Sequence, residues 1–357
     1  MIPYFCFYFL SFLSSFFYAK SQKKSSIIFF CIQTFLLLFL PIAFRYGIGT
    51  DYFSYVDLVQ KGIQKNDFST FEIGWSPIIW FIGKTGVSIH TFFIIPAFLS
   101  ILILFMVIPR KYFYICIPAY MSLAYLESFC VVRQAFAACI LLLSVRCFIK
   151  KKRIWSCIWL VVAVLFHKSA LLFAPLLLLS ELKWKVMSRW NNAFFLFAIV
   201  IVFMVGNFAF VFMEKVVGNT IYSVYVMSEY NEETKLGSGL GVLLKLLIFL
   251  IVLYFSDYKN REEHRQYKIV CLSVLSLAAG QILAAQIHIF GRIPNLFSPF
   301  YVYFLLSIAT SHSKYKKICV SFVLISLFFI FFKNLQVSDS SLKAGLGVVP
   351  YRTIFSE

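Results

Sequence analysis

Residues Ile27 to Phe44 read IIFFCIQTFLLLFLPIAF, and Arg45-Tyr46-Gly47-Ile48-Gly49-Thr50-Asp51-Tyr52 follows directly. The first half is an uncharged apolar run, close to the roughly 20 residues that a helix needs to cross a bilayer. The second half is polar and carries two glycines, so the span ends there and a turn begins. Outward from this pair the same alternation recurs along the chain. Long uncharged stretches are separated by short clusters of Lys and Arg, the pattern of repeated membrane spans.

Composition agrees. Of 357 residues, 61% are hydrophobic, the mean hydropathy is +0.86, and 13% are charged. A soluble domain of this size carries about 25% charged residues. Aromatics reach 20%, which a lipid-facing surface tolerates and a water-facing one does not. The net charge of +18 does not call for nucleic acid, because the basic residues sit at the ends of apolar runs, where orientation in the membrane accounts for them. Nine Cys are present. Most lie inside apolar segments without metal-ligand spacing, and read as buried small hydrophobes. Ile2 to Tyr18 has no basic region before it and no small-residue cleavage site, so it reads as a first span rather than a removed signal peptide.

The hydropathy pattern predicts an all-α integral membrane protein with about 12 transmembrane helices, over 2–18, 27–44, 89–108, 112–129, 132–148, 154–167, 168–181, 193–213, 240–256, 268–287, 293–309 and 317–333. The pair 154–167 and 168–181 is short and reads either as one long helix or as a bent pair. Segment 73–88 is apolar but broken by Gly74, Pro77, Gly83 and Gly86, which predicts a re-entrant or interfacial helix. No internal repeat and no soluble domain stands out, so 1–357 is expected to form a single polytopic unit.

One set of alternate connections holds Lys20, Lys23 and Lys24; Arg110 and Lys111; Lys150 to Arg153; Lys183, Lys185 and Arg189; Lys259, Arg261, Arg265 and Lys268; and Lys314, Lys316 and Lys317. By the positive-inside bias that set is cytoplasmic. The outer face then receives loops 45–72 and 214–239, the turns near Arg133 and His167, the turn 288–292 and the tail 334–357. Loop 214–239 is polar enough for a lid or a sugar-contacting loop, and reads equally as a solvated connector. Glu262-Glu263-His264-Arg265 reads as a solvated cytoplasmic loop.

The outer set gathers Arg45, Asp51, Glu72, Arg133, Gln134, His167, Ser169, His288, Gly291, Arg292 and Tyr351. Ionisable groups at or just inside helix ends need water or a cavity with partners. Each has a plain alternative: a snorkelling arginine, a loop carboxylate, a structural histidine. Together, three arginines, a histidine and carboxylates at one bilayer face suit an anionic group at headgroup depth, with apolar chains in lipid and a polar part outside. A lipid pyrophosphate carrying sugars fits. Arginine forks bind phosphate oxygens in pairs at any working pH and stabilise a departing pyrophosphate. Arg45, Arg133 and Arg292 are therefore the expected pyrophosphate contacts. His167 is the first choice for the group that takes a proton from the attacking hydroxyl, with Asp51 or Glu72 as runner-up. No metal or other cofactor is expected, since no Asp-x-Asp or His cluster is present to hold a metal.

These motifs resemble the EpsG/Wzy-type polysaccharide polymerases. The resemblance rests on Arg45-x-Gly47-x-Gly49-x-Asp51-Tyr52, Glu72, Arg133-Gln134-x-x-Ala137, Phe166-His167-x-Ser169-Ala170, Phe290-Gly291-Arg292 and Pro350-Tyr351. Members often carry a proline beside the acidic residue of the first loop; here Glu72-Ile73-Gly74 stands in its place. The resemblance implies a glycosyltransferase that joins undecaprenyl-pyrophosphate-linked oligosaccharide repeat units into O-antigen, capsule or exopolysaccharide. It implies the bacterial inner membrane, an active face on the periplasmic side, and a repeat-unit flippase and a chain-length regulator as functional partners. Two other readings share a basic membrane site: the flippase for the same lipid-linked unit, and an acyltransferase that modifies the glycan. A flippase places its charges in a cavity reachable from both faces, whereas here they cluster at one.

Overall fold

The computed structural model describes residues 1–181, 247–248, 265–266, 268–269, 271–273, 276–277, 280, 292–310, 315–338 and 345–355. Among the described residues the fold is all-helical, as the hydropathy predicts. It divides into two compact units, one of Met1–Pro175 with Val320–Glu357, the other of Leu176–Cys319.

The first unit opens with α1 (Ile2–Lys20) and α2 (Lys24–Ala43), two apolar helices packed on each other. Next comes α3 (Tyr52–Lys65), inside the segment expected to be a loop over 45–72. Its buried residues Tyr52, Tyr55, Val59 and Gly62 fall three to four apart along one face, with charges such as Asp57 and Lys61 on the other. That is the stripe of a helix with one side against the protein. A 3-10 turn (Ile73–Trp75) leads into α4 (Ser76–Thr85), which ends at Gly86 in the left-handed region. This is the short helix expected over 73–88, and at about 15 Å it spans half a hydrocarbon core.

Helix α5 (Thr91–Val107) and the stretch Arg110–Tyr125 meet at a bend of 103°. The latter begins as α6 (Phe113–Tyr120) and loosens into a π turn over Met121–Tyr125. Pro118, which lacks an N–H, sits just before the loosened ladder. Helix α7 (Val132–Ile149) is the centre of the unit and packs on both α5 and α8 (Arg153–Phe166). Ala137 and Ala138 are fully buried, and such small residues let membrane helices approach closely. After α8 the chain turns through a 3-10 stretch (Lys168–Phe173) into α9 (Ala174–Glu181). His167 at the junction is extended. The expected pair 154–167 and 168–181 is therefore a broken pair and not one long helix.

The second unit includes α10 (Arg292–Phe297) and α11 (Tyr301–Thr310), joined by a 3-10 turn. Within it Ser298 donates to the Pro294 carbonyl at 2.8 Å and Gln266 to the Tyr303 carbonyl at 2.8 Å. Helix α12 (Lys316–Val337) leads back to the first unit and continues four residues into the segment expected to be tail.

Among the described residues four helices are long and apolar enough to cross a membrane, namely α1, α2, α7 and α12, and a fifth span results if the bent pair at Ile108 is counted as one. The sequence led us to expect about 12. Helix α8 falls short in length, and Pro175 and Pro299 accompany breaks that divide other apolar runs into shorter pieces. The expected spans 193–213 and 240–256, the loop 214–239 and most of 268–287 lie outside the described residues, apart from Leu247 and Ile248 in the second.

Charges sort to the two ends of the first unit. Arg110 donates to the Ser21 carbonyl at 3.3 Å and Arg146 donates to the Met106 carbonyl. These bonds draw the basic connections 20–24, 108–112 and 146–153 together. Arg133, at the other end of α7, lies with Glu72 and His167.

Candidate functional site

Three separate segments meet at Glu72. Its Oε2 accepts from Arg133 Nη1 at 2.7 Å, and its Oε1 lies 2.9 Å from His167 Nδ1. Glu72 precedes the Ile73–Trp75 turn, Arg133 sits in the first turn of α7, and His167 ends α8. The Glu72 side chain is 11% exposed, that of His167 16% and that of Arg133 22%. The cluster is enclosed but still open to one side.

The local sequence explains how these segments come so close. The Trp75 indole N–H donates to the Phe166 carbonyl at 2.8 Å, which clips the turn after Glu72 to the residue before His167. Gly74 lies against the same stretch: a Cβ there would stand 2.8 Å from the Leu165 carbonyl oxygen. Only a residue without a side chain allows that approach. Ile73-Gly74 follows Glu72, and the close approach that Gly74 allows lets Glu72 reach His167. Phe92, Phe136 and Phe166 surround the Trp75 ring.

Burial pushes the Glu72 carboxyl up, but the His167 hydrogen bond and the Arg133 charge outweigh it and hold the group below the usual carboxylate range. An ionised carboxylate is acceptor-only. His167 Nδ1 must then carry the proton in their shared bond, which leaves Nε2 of a neutral ring as the acceptor. A carboxylate that fixes the tautomer of a histidine is the arrangement by which proteins prepare a general base. Arg133 also lies over the rings of Tyr55 at 5.7 Å and Phe71 at 5.6 Å, two contacts that keep its guanidinium in place.

Arg45 occupies a different setting. It is 1% exposed, donates from Nη1 to the Ile42 carbonyl at 2.8 Å, and lies between the rings of Phe93 at 4.8 Å and Phe129 at 5.2 Å. Its Nε and Nη2 have no hydrogen-bond partner among the described residues. Burial pulls this guanidinium down to about 10, which still leaves it cationic at neutral pH. Phe93 connects the two arginines, since its ring is 6.5 Å from that of Tyr55, which underlies Arg133.

The loop after Arg45 is fastened by the tail. Arg45 and Thr353 form an antiparallel bridge, Tyr46 N donates to the Arg352 carbonyl at 3.1 Å, and Gly49 N donates to the Gly347 carbonyl at 3.2 Å. Gly49 has φ +95, and a Cβ there would fall 2.1 Å from the Phe129 carbonyl oxygen. Tyr351 donates to the Pro41 carbonyl at 3.2 Å. Gly47 lies under the Phe53 ring.

The expected residues thus divide. Glu72, Arg133 and His167 come together. Asp51 stands at the start of α3, its carboxylate accepting from the Thr50 hydroxyl at 3.2 Å, and no ion pair joins it to the cluster. Tyr52 stacks on Phe93 at 4.9 Å and its hydroxyl lies 3.3 Å from His90 Nδ1. Gln134 is buried beside Arg133. The Ser169 hydroxyl is buried just after His167 without a hydrogen-bond partner among the described residues. Arg292 opens α10 in the second unit and is exposed. Gly291 and His288 lie outside the described residues. The sequence reading did not include Tyr55, Phe71 or Trp75. Trp75 carried a signal, since a tryptophan three residues after a candidate acid and next to Gly74 is a natural anchor for a tight turn.

No curated protein and no solved structure matches this chain. The family model of the EpsG family matches residues 27–353, a range that takes in both the Glu72 cluster and the tail. The chain belongs to the EpsG family, the family of Wzy-type polysaccharide polymerases.

Proposed function

We propose that this protein is a membrane-embedded glycosyltransferase that polymerises undecaprenyl-pyrophosphate-linked repeat units on the periplasmic face of a bacterial inner membrane. The observation that carries the reading is the bond between Glu72 and His167, with Arg133 on the other carboxylate oxygen. It supplies a tautomer-fixed base and a cation in one enclosed place.

In this mechanism a sugar hydroxyl of the acceptor unit attacks the anomeric carbon of the donor chain. Its proton passes to His167 Nε2 while Glu72 stabilises the imidazolium that forms. The anomeric C–O bond breaks and its electron pair leaves with the pyrophosphate. Arg133 takes up that developing charge. Arg45, enclosed between two rings, holds the first loop and the end of α2 in shape. Asp51 serves the start of α3. The product is O-antigen, capsule or exopolysaccharide. A repeat-unit flippase supplies the substrate and a chain-length regulator works alongside.

Deletion of the gene, followed by glycan gel analysis, tests this. The expected result is a ladder that collapses to one rung, restored by the wild-type gene and not by Glu72→Gln. A deletion strain with no repeat unit at all on its surface lipid would instead mark the protein as the flippase.

A further inference from the structure

Helix α2 is long and apolar enough to cross a membrane, and Gln33 is the tenth of its 20 residues. That places a carboxamide about 15 Å from either end, at mid-bilayer depth. The Ser14 hydroxyl of α1 donates to Gln33 Oε1 at 3.2 Å, and the N–H donors of the Gln33 amide have no partner among the described residues. Gln33 is half-buried and lines an open, otherwise apolar groove of about 400 Å³ on α2, bordered by Phe7 of α1. Hydrocarbon offers these donors no acceptor, so leaving them there is costly.

The groove residues also carry a pattern. Phe29, Gln33, Leu36 and Leu40 stand four, three and four positions apart, the seam spacing of a coiled coil, with one polar residue inside it. The three apolar members are exposed, whereas Thr34 and Leu38, on another face of the helix, are fully buried. Helix α2 therefore has two packing faces, and the fold of one chain fills one of them. A single polar residue in such a seam fixes register and partner number. Two copies inserted in one membrane run α2 in the same direction. A two-fold axis along the membrane normal then sets equal positions opposite each other at equal depth. Gln33 meets Gln33 of the second copy, and each Oε1, with a lone pair left beside the Ser14 bond, accepts from the other amide.

We propose that α2 forms the interface of a homodimer, with the seams of two copies in parallel contact from Phe29 to Leu40 and a reciprocal amide pair between the two Gln33 side chains at the bilayer midplane. A lipid chain can cover the apolar residues of the seam but cannot meet the amide donors. None of these residues belongs to the Glu72 cluster, so the dimer stands independently of the polymerase reading.

Two differently tagged copies of the full-length protein, expressed together, test the interface in native membranes. A photoreactive p-benzoylphenylalanine in place of Phe29 keeps an aromatic ring at the seam, and light should join the two tagged copies in a band of twice the chain mass. The same group in place of Phe98, exposed on α5 outside the groove, should give no such band. Subunit counting by single-molecule photobleaching in liposomes then gives the dimer fraction at each protein-to-lipid ratio. Gln33→Leu, an apolar change that a membrane helix accommodates, should weaken the dimer about tenfold. Gln33→Asn keeps the carboxamide and should recover part of that loss. Leu36→Trp crowds the seam from an exposed position and should weaken the dimer at least as much as Gln33→Leu. Photoproducts that join position 29 only to lipid or to a different protein, monomers at every ratio, or dimers that Gln33→Leu and Leu36→Trp leave unchanged overturn the proposal.

Discussion

Glu72 and His167 are 95 positions apart in the chain and 2.9 Å apart in space, joined through Oε1 and Nδ1. The bond ties the segment before α4 to the break between α8 and the 3-10 turn after it. Because Arg133 holds the other carboxylate oxygen, neither partner can move without disturbing the third residue.

Replacement of Glu72 by Gln removes the charge that offsets Arg133 and frees the tautomer of His167. The cluster is mostly enclosed, so the cost should approach about 2 kcal/mol, below the roughly 3–5 kcal/mol of a fully buried pair. A lower melting temperature in detergent and loss of polymer ladders are both expected. An unchanged melting temperature would show that the ion pair does not form in solution.

The same carboxylate makes stability depend on pH. Its value is held below that of the unfolded chain, with burial opposed by the His167 bond and the Arg133 charge. Its contribution is therefore complete above the unfolded value, about pH 4, and is lost as pH falls through the lower folded value. Thermal scans should show wild type losing stability on acidification in that range. Glu72→Gln should lose less over the same interval, and parallel curves for the two would remove Glu72 as the source.

Arg133→Ala should lower polymerisation by about 100-fold or more, the scale seen when a preorganised charge is taken from a transition state. Single-repeat product should persist on the lipid carrier, because supply of substrate does not depend on this residue. Normal ladders in this variant would exclude Arg133 from the site.

For His167→Ala we expect a loss of about 10²–10⁴-fold, the usual contribution of a general base. His167→Gln should be no better, since Gln can still donate to Glu72 but cannot accept a proton. Ladders restored by Gln would reduce the histidine to a structural role.

Gly74→Ala tests the clip between segments. A methyl group 2.8 Å from the Leu165 carbonyl oxygen forces the two stretches apart at a cost of about 1–3 kcal/mol. Shorter ladders with a lowered melting temperature are expected. Full activity would mean that Glu72 and His167 need not be in contact.

The alternation of apolar runs with basic clusters determined, without any coordinates, that this is an all-helical membrane protein. It also placed Glu72, Arg133 and His167 in connections of the same set. Both results follow from local quantities, the hydropathy of a segment and the rise of a helix, which need no knowledge of neighbours. Only the tertiary structure decided that Glu72 and not Asp51 meets His167, that Arg45 lies enclosed between Phe93 and Phe129, and that the tail pairs with the loop after Arg45 at Thr353. Those outcomes depend on how close Gly74 lets one backbone come to another and on which rings fill the space between α5 and α7. Contacts of that kind join residues tens to hundreds of positions apart, and no periodicity within a single segment encodes them.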